Sequence, residues 1–477
     1  MSRIFISAAH KSSGKTTVSI GLCAALKQRG LVVQTFKKGP DYIDPYWLAQ
    51  ATGRNCYNLD FYTMERDEIL SLMLNKSRDA DITMIEGNKG LYDGLDIDGS
   101  NSNAALATLT QTPVILVLNA RGMTRGIAPL ILGYQAFDKN VAIKGIILNQ
   151  LGGSRHESKL RKVIEHYTDV EVVGAIHNDS RFDIEERHLG LVPGNEDPFC
   201  TRKISLLADA VNEQVDLDAV LAIARLANEI SAADTIREIQ TEIKPGSSSS
   251  DSEPAIKLGL VRSSAFGFYY PDDLEALQDA GAELISFDPC KDSTLPEIDA
   301  LFIGGGFPET HMHVLQANAT MRTAIKSAIE NGLPTYAECG GLMYLARSIE
   351  WNGDECAMVG SIDADIIMES RPQGRGYVQL QETENSPWPG AADAVKNSQI
   401  INAHEFHYSR FKTVDKNVKF AFDVKRGQGI NGKSDGYLYK NLLATYTHQR
   451  NTRNNPWAKR FINYVKACKT KQQTQNG

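Results

Sequence analysis

Short apolar runs alternating with helical stretches constrain this chain more than any other feature of it. "RIFISA", "LVVQTF", "DITMIEG", "PVILVLNA" and "VAIKGIILNQ" recur through the first 150 residues, and "TTVSIGLCAALKQRG" between the first two reads as a helix ending at Gly30. Strands that are apolar throughout are buried on both faces, and helices between them imply parallel pairing. The pattern continues to helices expected around residues 205 to 240 and then stops. "KPGSSSSDSEPAIK", residues 244 to 257, has serines, prolines and no periodicity, the composition of a flexible linker. Beyond it the alternation restarts. "AIKLGLVRS", "AELISFDP" and "ALFIGGGF" read as strands, with "PDDLEALQDAG" a helix after the first. A chain of 477 residues also exceeds the roughly 250–300 at which single cores stop growing. The sequence therefore predicts an α/β protein of two domains, residues 1–243 and 256–468, joined by a linker at 244–255 and followed by a disordered tail at 469–477.

Bulk properties exclude several classes. A formal charge of −7 gives no support to nucleic-acid binding, and any anionic substrate must be held by local cations. No apolar stretch approaches the ~20 residues of a membrane helix, and the apolar run after Met1 is too short for a signal peptide. The seven cysteines are scattered and never spaced CxxC, which speaks against a disulfide frame or a zinc knuckle. These readings predict a cytoplasmic protein with reduced thiols and with no nucleic-acid or membrane partner.

"SAAHKSSGKTT" lies between the first strand and the first helix, where a phosphate loop belongs. Backbone N–H groups from Lys11 to Thr16, including those of Ser12, Ser13 and Gly14, would surround the phosphates of ATP, with Thr17 closing the motif. Lys15 would reach the phosphate oxygens and Thr16 a magnesium ion. Ala8 and Ala9 depart from the general motif, which has glycine at its front. "DITMIEG" ends in Glu86, and a carboxylate at the end of a strand beside the loop is a second magnesium ligand. "GLYDG" adds Asp93. "KKGPDYIDP" places Lys37, Lys38, Asp41 and Asp44 in a rigid turn after another strand, where doubly wound sheets bind ligands.

The second domain carries a different signal. "YAECGGLMYL" reads as a strand, a sharp glycine turn and a helix, with Cys339 at the crest. Helix N-terminal amides would stabilise its thiolate, in the manner of a nucleophile elbow with Cys in place of Ser. Gly340, and Gly305 and Gly306 of "GGGFPE", would offer N–H groups to an oxyanion. A base must accompany the thiol, and the candidates are His404 and His407 in "HEFHYS" and His448 in "TYTH".

The ordered set "SSGKTT", "FKKGPDYIDP", "NLDFYTM", "EGNKGLYDG", "ERHLGLVP", "FGFYYPDDLEAL", "GGGFPE", "AECGGLMYL", "GRGY", "HEFHYS" and "TYTH" resembles the cobyrinate a,c-diamide synthase family from about residue 4 to 460. The resemblance implies an N-terminal ATP-dependent amidoligase domain similar to dethiobiotin synthetase. It also implies a C-terminal domain of the class I glutamine amidotransferases, of the subgroup shared with cobyric acid synthase. Cys339 would be the glutaminase nucleophile and His448 its partner. The broader class has a glutamate two positions after that histidine, where this chain has Arg450, so a dyad is implied. Lys15, Thr16 and Glu86 match nucleotide and magnesium positions, and Asp41, Asp44 and Asp93 match acids of the synthetase site.

The implied chemistry is ATP- and glutamine-dependent amidation of the a and c acetates of cobyrinate in cobalamin biosynthesis. It runs through a phosphorylated carboxylate, with ammonia moving between the two centres along a sheltered route. Mg²⁺, ATP and L-glutamine are the implied cofactor and co-substrates, with a homodimer as the candidate assembly. A tetrapyrrole polycarboxylate needs cations, and Lys37, Lys38, Arg121, Arg125, Arg187, His188, Arg375 and His404 are available, with His404 grouped with the synthetase site. The lysines of "FKKG" and "EGNKG" leave open the same chemistry on another tetrapyrrole, as in sirohaem amide synthase or nickel-sirohydrochlorin a,c-diamide synthase. From another class, the alternative is a phosphate-loop regulatory ATPase carrying an inactive glutaminase domain.

Overall fold

A computed structural model describes residues 1–178, 181, 186–187, 190–197, 199–230, 255–413 and 417–476. The chain divides into two compact units, Met1–Ser247 and Ser248–Gly477. Of the expected linker, residues 244–254 lie outside the described residues, as do the end of the helical stretch from residue 231 and His188.

The N-terminal unit is built on one parallel sheet. Its strands are β1 (Ser2–Ala8), β2 (Val33–Lys38), β3 (Tyr57–Leu59), β4 (Ile82–Glu86), β5 (Val114–Asn119), β6 (Ile143–Leu151) and β7 (Glu171–His177), in the order β3-β2-β4-β1-β5-β6-β7. The apolar runs become these strands because both faces are covered: Ile4, Phe5, Ile6, Ile82, Ile85, Val114, Ile115 and Leu116 are all fully buried. Helix α1 (Lys15–Gln28) follows β1 through the glycine turn and buries Val18, Ile20, Leu22 and Leu26. Chain order reverses beside β1, which pairs with β4 on one side and β5 on the other. Loops leaving the carboxyl ends of β1, β2 and β4 therefore diverge there, the place where open α/β sheets bind ligands.

The C-terminal unit has a nine-stranded sheet. Five strands are parallel, in the order Ala282–Phe287, Ile256–Val261, Ala300–Ile303, Thr335–Glu338 and Leu442–Thr445. Four antiparallel strands extend it: Ser434–Tyr439, Lys419–Arg426, Gly374–Glu382 and Ile400–His407. The last helix spans Trp457–Asn476 and packs Trp457, Phe461, Ile462 and Val465 into the core. It corrects the expected disordered tail, since it carries helix through residues 469–476; its length follows from an apolar face in its first turns that anchors what comes after.

Candidate active sites

In the N-terminal unit the phosphate loop is held from below. Ser13 is buried and its hydroxyl donates to the His10 carbonyl at 2.8 Å, while Thr17 donates to the Gly14 carbonyl at 2.8 Å. Ser12 has φ 63°, so the loop turns through the left-handed region just before Gly14. Asn149, near the end of β6, donates from Nδ2 to the Ser13 carbonyl at 2.9 Å. Sequence reasoning missed Asn149; its polar side chain closing an apolar strand was the available signal.

Lys15, Thr16, Glu86, Asp44 and Lys37 converge at the ends of β2 and β4. Glu86 Oε1 accepts from Lys15 Nζ at 2.6 Å, Lys37 Nζ at 2.8 Å and the Thr16 hydroxyl at 2.8 Å. Lys37 also donates to Asp44 Oδ2 at 2.5 Å, and the Thr16 hydroxyl lies 3.2 Å from the same oxygen. Burial alone would raise the pKa of the Glu86 carboxyl, but the two ammonium groups win and hold it below the ordinary carboxylate range. Lys37 is likewise pushed down by burial, yet Asp44 and Glu86 raise it well above a free lysine. Lys15 is lowered by burial, with Glu86 only partly offsetting it.

Asp41 accepts the backbone N–H groups of Ile43 and Asp44, at 2.9 and 3.2 Å, and lies 3.8 Å from Lys37. Burial and then the Asp44 charge raise its carboxyl above the ordinary range. Lys38 points elsewhere, donating to Asn101 at 3.3 Å, and burial pushes its ammonium down to about 8. Asp93 is exposed and accepts the Gly90 N–H at 2.9 Å, in a turn whose Gly90 sits against the Ala9 carbonyl at the front of the phosphate loop.

The C-terminal unit presents Cys339 as the sequence suggested. Strand Thr335–Glu338 ends, Cys339 takes φ 48° and ψ −103°, and helix Gly340–Leu345 begins. A non-glycine residue in that region stores ~1–3 kcal/mol of strain, which persists only where surrounding packing fixes it. The fixing contacts are close. A Cβ on Gly340 would come within 2.9 Å of the Gly306 backbone, and the Cys339 N–H donates to the Thr445 carbonyl at 2.7 Å. Gly305 and Gly306 pair with Phe268 and Phe266. The Gly340 N–H faces the sulfur and favours its thiolate, but burial and the nearby Glu309 raise the thiol well above an ordinary cysteine. The resting group is a neutral thiol that needs a base.

Thr445 closes the neighbouring parallel strand, three residues before His448. The His448 ring is buried, packs against Gly305, and is held by backbone bonds to His404, from His448 N–H to His404 O at 2.8 Å and back at 3.3 Å. The two imidazoles stack at 5.0 Å and 15°. The structure thus places His404 beside His448 in the C-terminal unit. Burial, His448 and Arg450 keep His404 well below an ordinary histidine, so it is neutral. His407 donates from Nδ1 to the Ser409 carbonyl at 2.8 Å and stacks on Tyr446, a packing role. Two further groups went unnoticed in sequence. Glu338 Oε2 lies 3.3 Å from His448 Nδ1, and Tyr270 lies between His404 and Arg450. A lone acid inside a buried strand was the readable sign of Glu338, because such a charge needs partners.

Of the other expected cations, Arg375 lies over the Phe406 ring at 5.7 Å and Arg125 over Tyr167 at 5.2 Å, while the Arg187 side chain lies outside the described residues. Among the described residues no helix is long and apolar enough to cross a membrane.

Comparison with known proteins gives one family match in each unit. Residues 257–456 match the CobB/CobQ-like glutamine amidotransferase domain family, and residues 2–185 match the AAA domain family. The chain is 42% identical over 451 residues to the cobyrinate a,c-diamide synthase of Magnetococcus marinus, covering 94% of this chain and 93% of that protein. It is 38% identical to the enzyme of the same name from Methanosarcina acetivorans, covering 94% and 92%, and 38% identical to that from Archaeoglobus fulgidus, covering 98% of each.

Proposed function

Because the chain belongs to the cobyrinate a,c-diamide synthase family, we propose that it uses ATP and glutamine to convert the a and c acetate side chains of cobyrinate into carboxamides. We assign the ATP-dependent reaction to residues 1–243 and glutamine hydrolysis to residues 256–468. The observation that carries the reading is Cys339, held at φ 48° on a strand-to-helix turn beside the strand that leads to His448. An inactive glutaminase domain in a regulatory ATPase would have no use for that strain.

In the glutaminase reaction the Cys339 proton passes to His448 as sulfur bonds to the side-chain carbonyl carbon of glutamine. The carbon–nitrogen bond breaks, nitrogen takes the proton and leaves as ammonia, and water hydrolyses the thioester to glutamate. Gly340, Gly305 and Gly306 would offer N–H groups to the oxyanion. In the synthetase reaction a substrate carboxylate oxygen bonds to the γ-phosphorus of ATP and ADP leaves. Ammonia then attacks the acyl phosphate and releases inorganic phosphate. Lys15 and Lys37 offset the charge of two anions brought together.

The donor set fits a magnesium ion. Thr16, Glu86 and Asp44 present only oxygens, and the buried Glu86 Oε2 has no hydrogen-bond partner among the described residues. Among the described residues no group of three or more His, Cys, Asp or Glu side chains is arranged to hold a metal by itself. Mg²⁺ takes one or two carboxylates and completes its octahedron with phosphate and water. When bound, the ion supplies charge neutralisation at the phosphates.

The test offers cobyrinate, sirohydrochlorin and sirohaem side by side, with ATP, Mg²⁺ and glutamine, and follows products by mass spectrometry. Double amidation of cobyrinate in preference to the other two is expected. Preferential amidation of either other ring would move the enzyme to that substrate.

A further inference from the structure

We propose that Glu338 is the positioning carboxylate of the thiol centre, taking from the strand before the nucleophile the role that Arg450 cannot fill. The inference rests on the reading of Cys339 and His448 as a glutaminase pair.

For an imidazole to accept a proton from a thiol through Nε2, its Nδ1 must carry the hydrogen and point at an acceptor. Glu338 Oε2 stands 3.3 Å from His448 Nδ1, with both side chains nearly fully buried. An ionised carboxylate only accepts, so this contact selects the tautomer with hydrogen on Nδ1 and leaves the Nε2 lone pair for the sulfur. The carboxylate is itself fixed. Its other oxygen accepts from the Tyr336 hydroxyl at 2.6 Å and the Gln449 N–H at 3.0 Å, and Gln449 Nε2 donates to the same tyrosine oxygen at 3.0 Å.

The neighbouring groups act differently. His404 stacks on the face of His448 and is neutral. Arg450, two residues beyond His448, turns its guanidinium away, donating to Asp272 from Nη2 at 2.6 Å and from Nε at 3.2 Å while lying 4.3 Å over the Tyr270 ring. Glu309 and Glu405 act on the sulfur, where their charge opposes the thiolate, as the Glu338 charge also does. Arg450 thus buttresses Tyr270, which in turn lies 3.4 Å from His404 Nδ1, and the acceptor for His448 comes from residue 338.

The test is Glu338→Gln in the full chain. The amide can still accept from Tyr336, but its NH₂ would face Nδ1 and favour the wrong tautomer. Expected are a fall of about 10²-fold or more in kcat for glutamine hydrolysis, little change in KM for glutamine, and ammonium-driven amidation within about 2-fold of wild type. Glu338→Asp should recover part of the loss. Should Glu338→Gln fail to fold, selectively ¹⁵N-histidine-labelled wild-type protein answers the same question, with His448→Gln identifying the resonance. Hydrogen on Nδ1 is expected, and hydrogen on Nε2 would overturn the proposal. Unchanged kcat in Glu338→Gln would overturn it too, provided Cys339→Ala is inactive with glutamine. If Cys339→Ala itself still hydrolyses glutamine, the functional reading fails first.

Discussion

His448 lies so near Gly305 that a Cβ built on that glycine would come within 2.5 Å of its Cε1 and 3.3 Å of its Nε2. The missing side chain at Gly305 thus makes room for an imidazole edge. Gly305→Ala must displace the ring, and a misplacement of about 1 Å costs about 10²-fold in rate. We expect that loss in glutamine-driven turnover with ammonium-driven turnover retained, measured as glutamate and product release under each donor. An equal loss with both donors would place Gly305 in general folding instead.

Among the described residues the Lys15 ammonium donates to Glu86 and Thr16, and Lys15 sits at the first turn of α1 after the phosphate loop. Lys15→Ala should abolish amidation with either nitrogen donor while leaving ATP-independent glutamine hydrolysis measurable. Steady-state rates with glutamine and with ammonium decide it. Near-normal amidation would remove Lys15 from the mechanism.

Glu86 gives a pH signature. Its folded carboxyl is held below the unfolded value of about 4.3 by Lys15 and Lys37. Its contribution to stability is therefore fully present above that unfolded value and is lost as pH falls through the lower folded one. Removing one partner of a buried charge group costs about 3–5 kcal/mol. Chemical denaturation should find Glu86→Gln less stable than wild type by that order at pH 7 and pH 5, with the gap narrowing below about pH 4. A gap independent of pH would mean that Glu86 contributes packing rather than charge.

Asn149 holds the Ser13 carbonyl from beneath the loop. Asn149→Ala loses one buried hydrogen bond, about 1–3 kcal/mol including the orphaned carbonyl. We expect ATP KM to rise about 10-fold with kcat for glutamine hydrolysis unchanged, as read by initial rates across ATP concentration.

The parallel sheet of the first unit and the parallel part of the second unit's sheet were legible because their strands are apolar on both faces: "RIFISA", "DITMIEG" and "ALFI" announce burial without any knowledge of partners. The antiparallel extension was not. Gly374–Glu382 and Lys419–Arg426 are only half covered, so "GRGYVQLQE" and "KFAFDVKR" mix charge with apolar residues and read as loops. The same blindness hid the place of His404, since its partner across the bridge, His448, is 44 positions away and only the sheet brings the two together. Cys339 was legible because an elbow is local chemistry. Glu338 was adjacent to it in sequence yet overlooked, because its contact with His448, 110 positions further on, is made only by the folded sheet.

The central claim is that one chain frees ammonia from glutamine at Cys339 and uses it at a separate ATP-dependent centre. Cys339→Ala tested with cobyrinate, ATP and Mg²⁺ measures this most directly, by the diamide formed with glutamine and with ammonium. The account predicts no product with glutamine and near wild-type product with ammonium. Glutamine-driven product from Cys339→Ala, or loss with both donors in a folded protein, would contradict it.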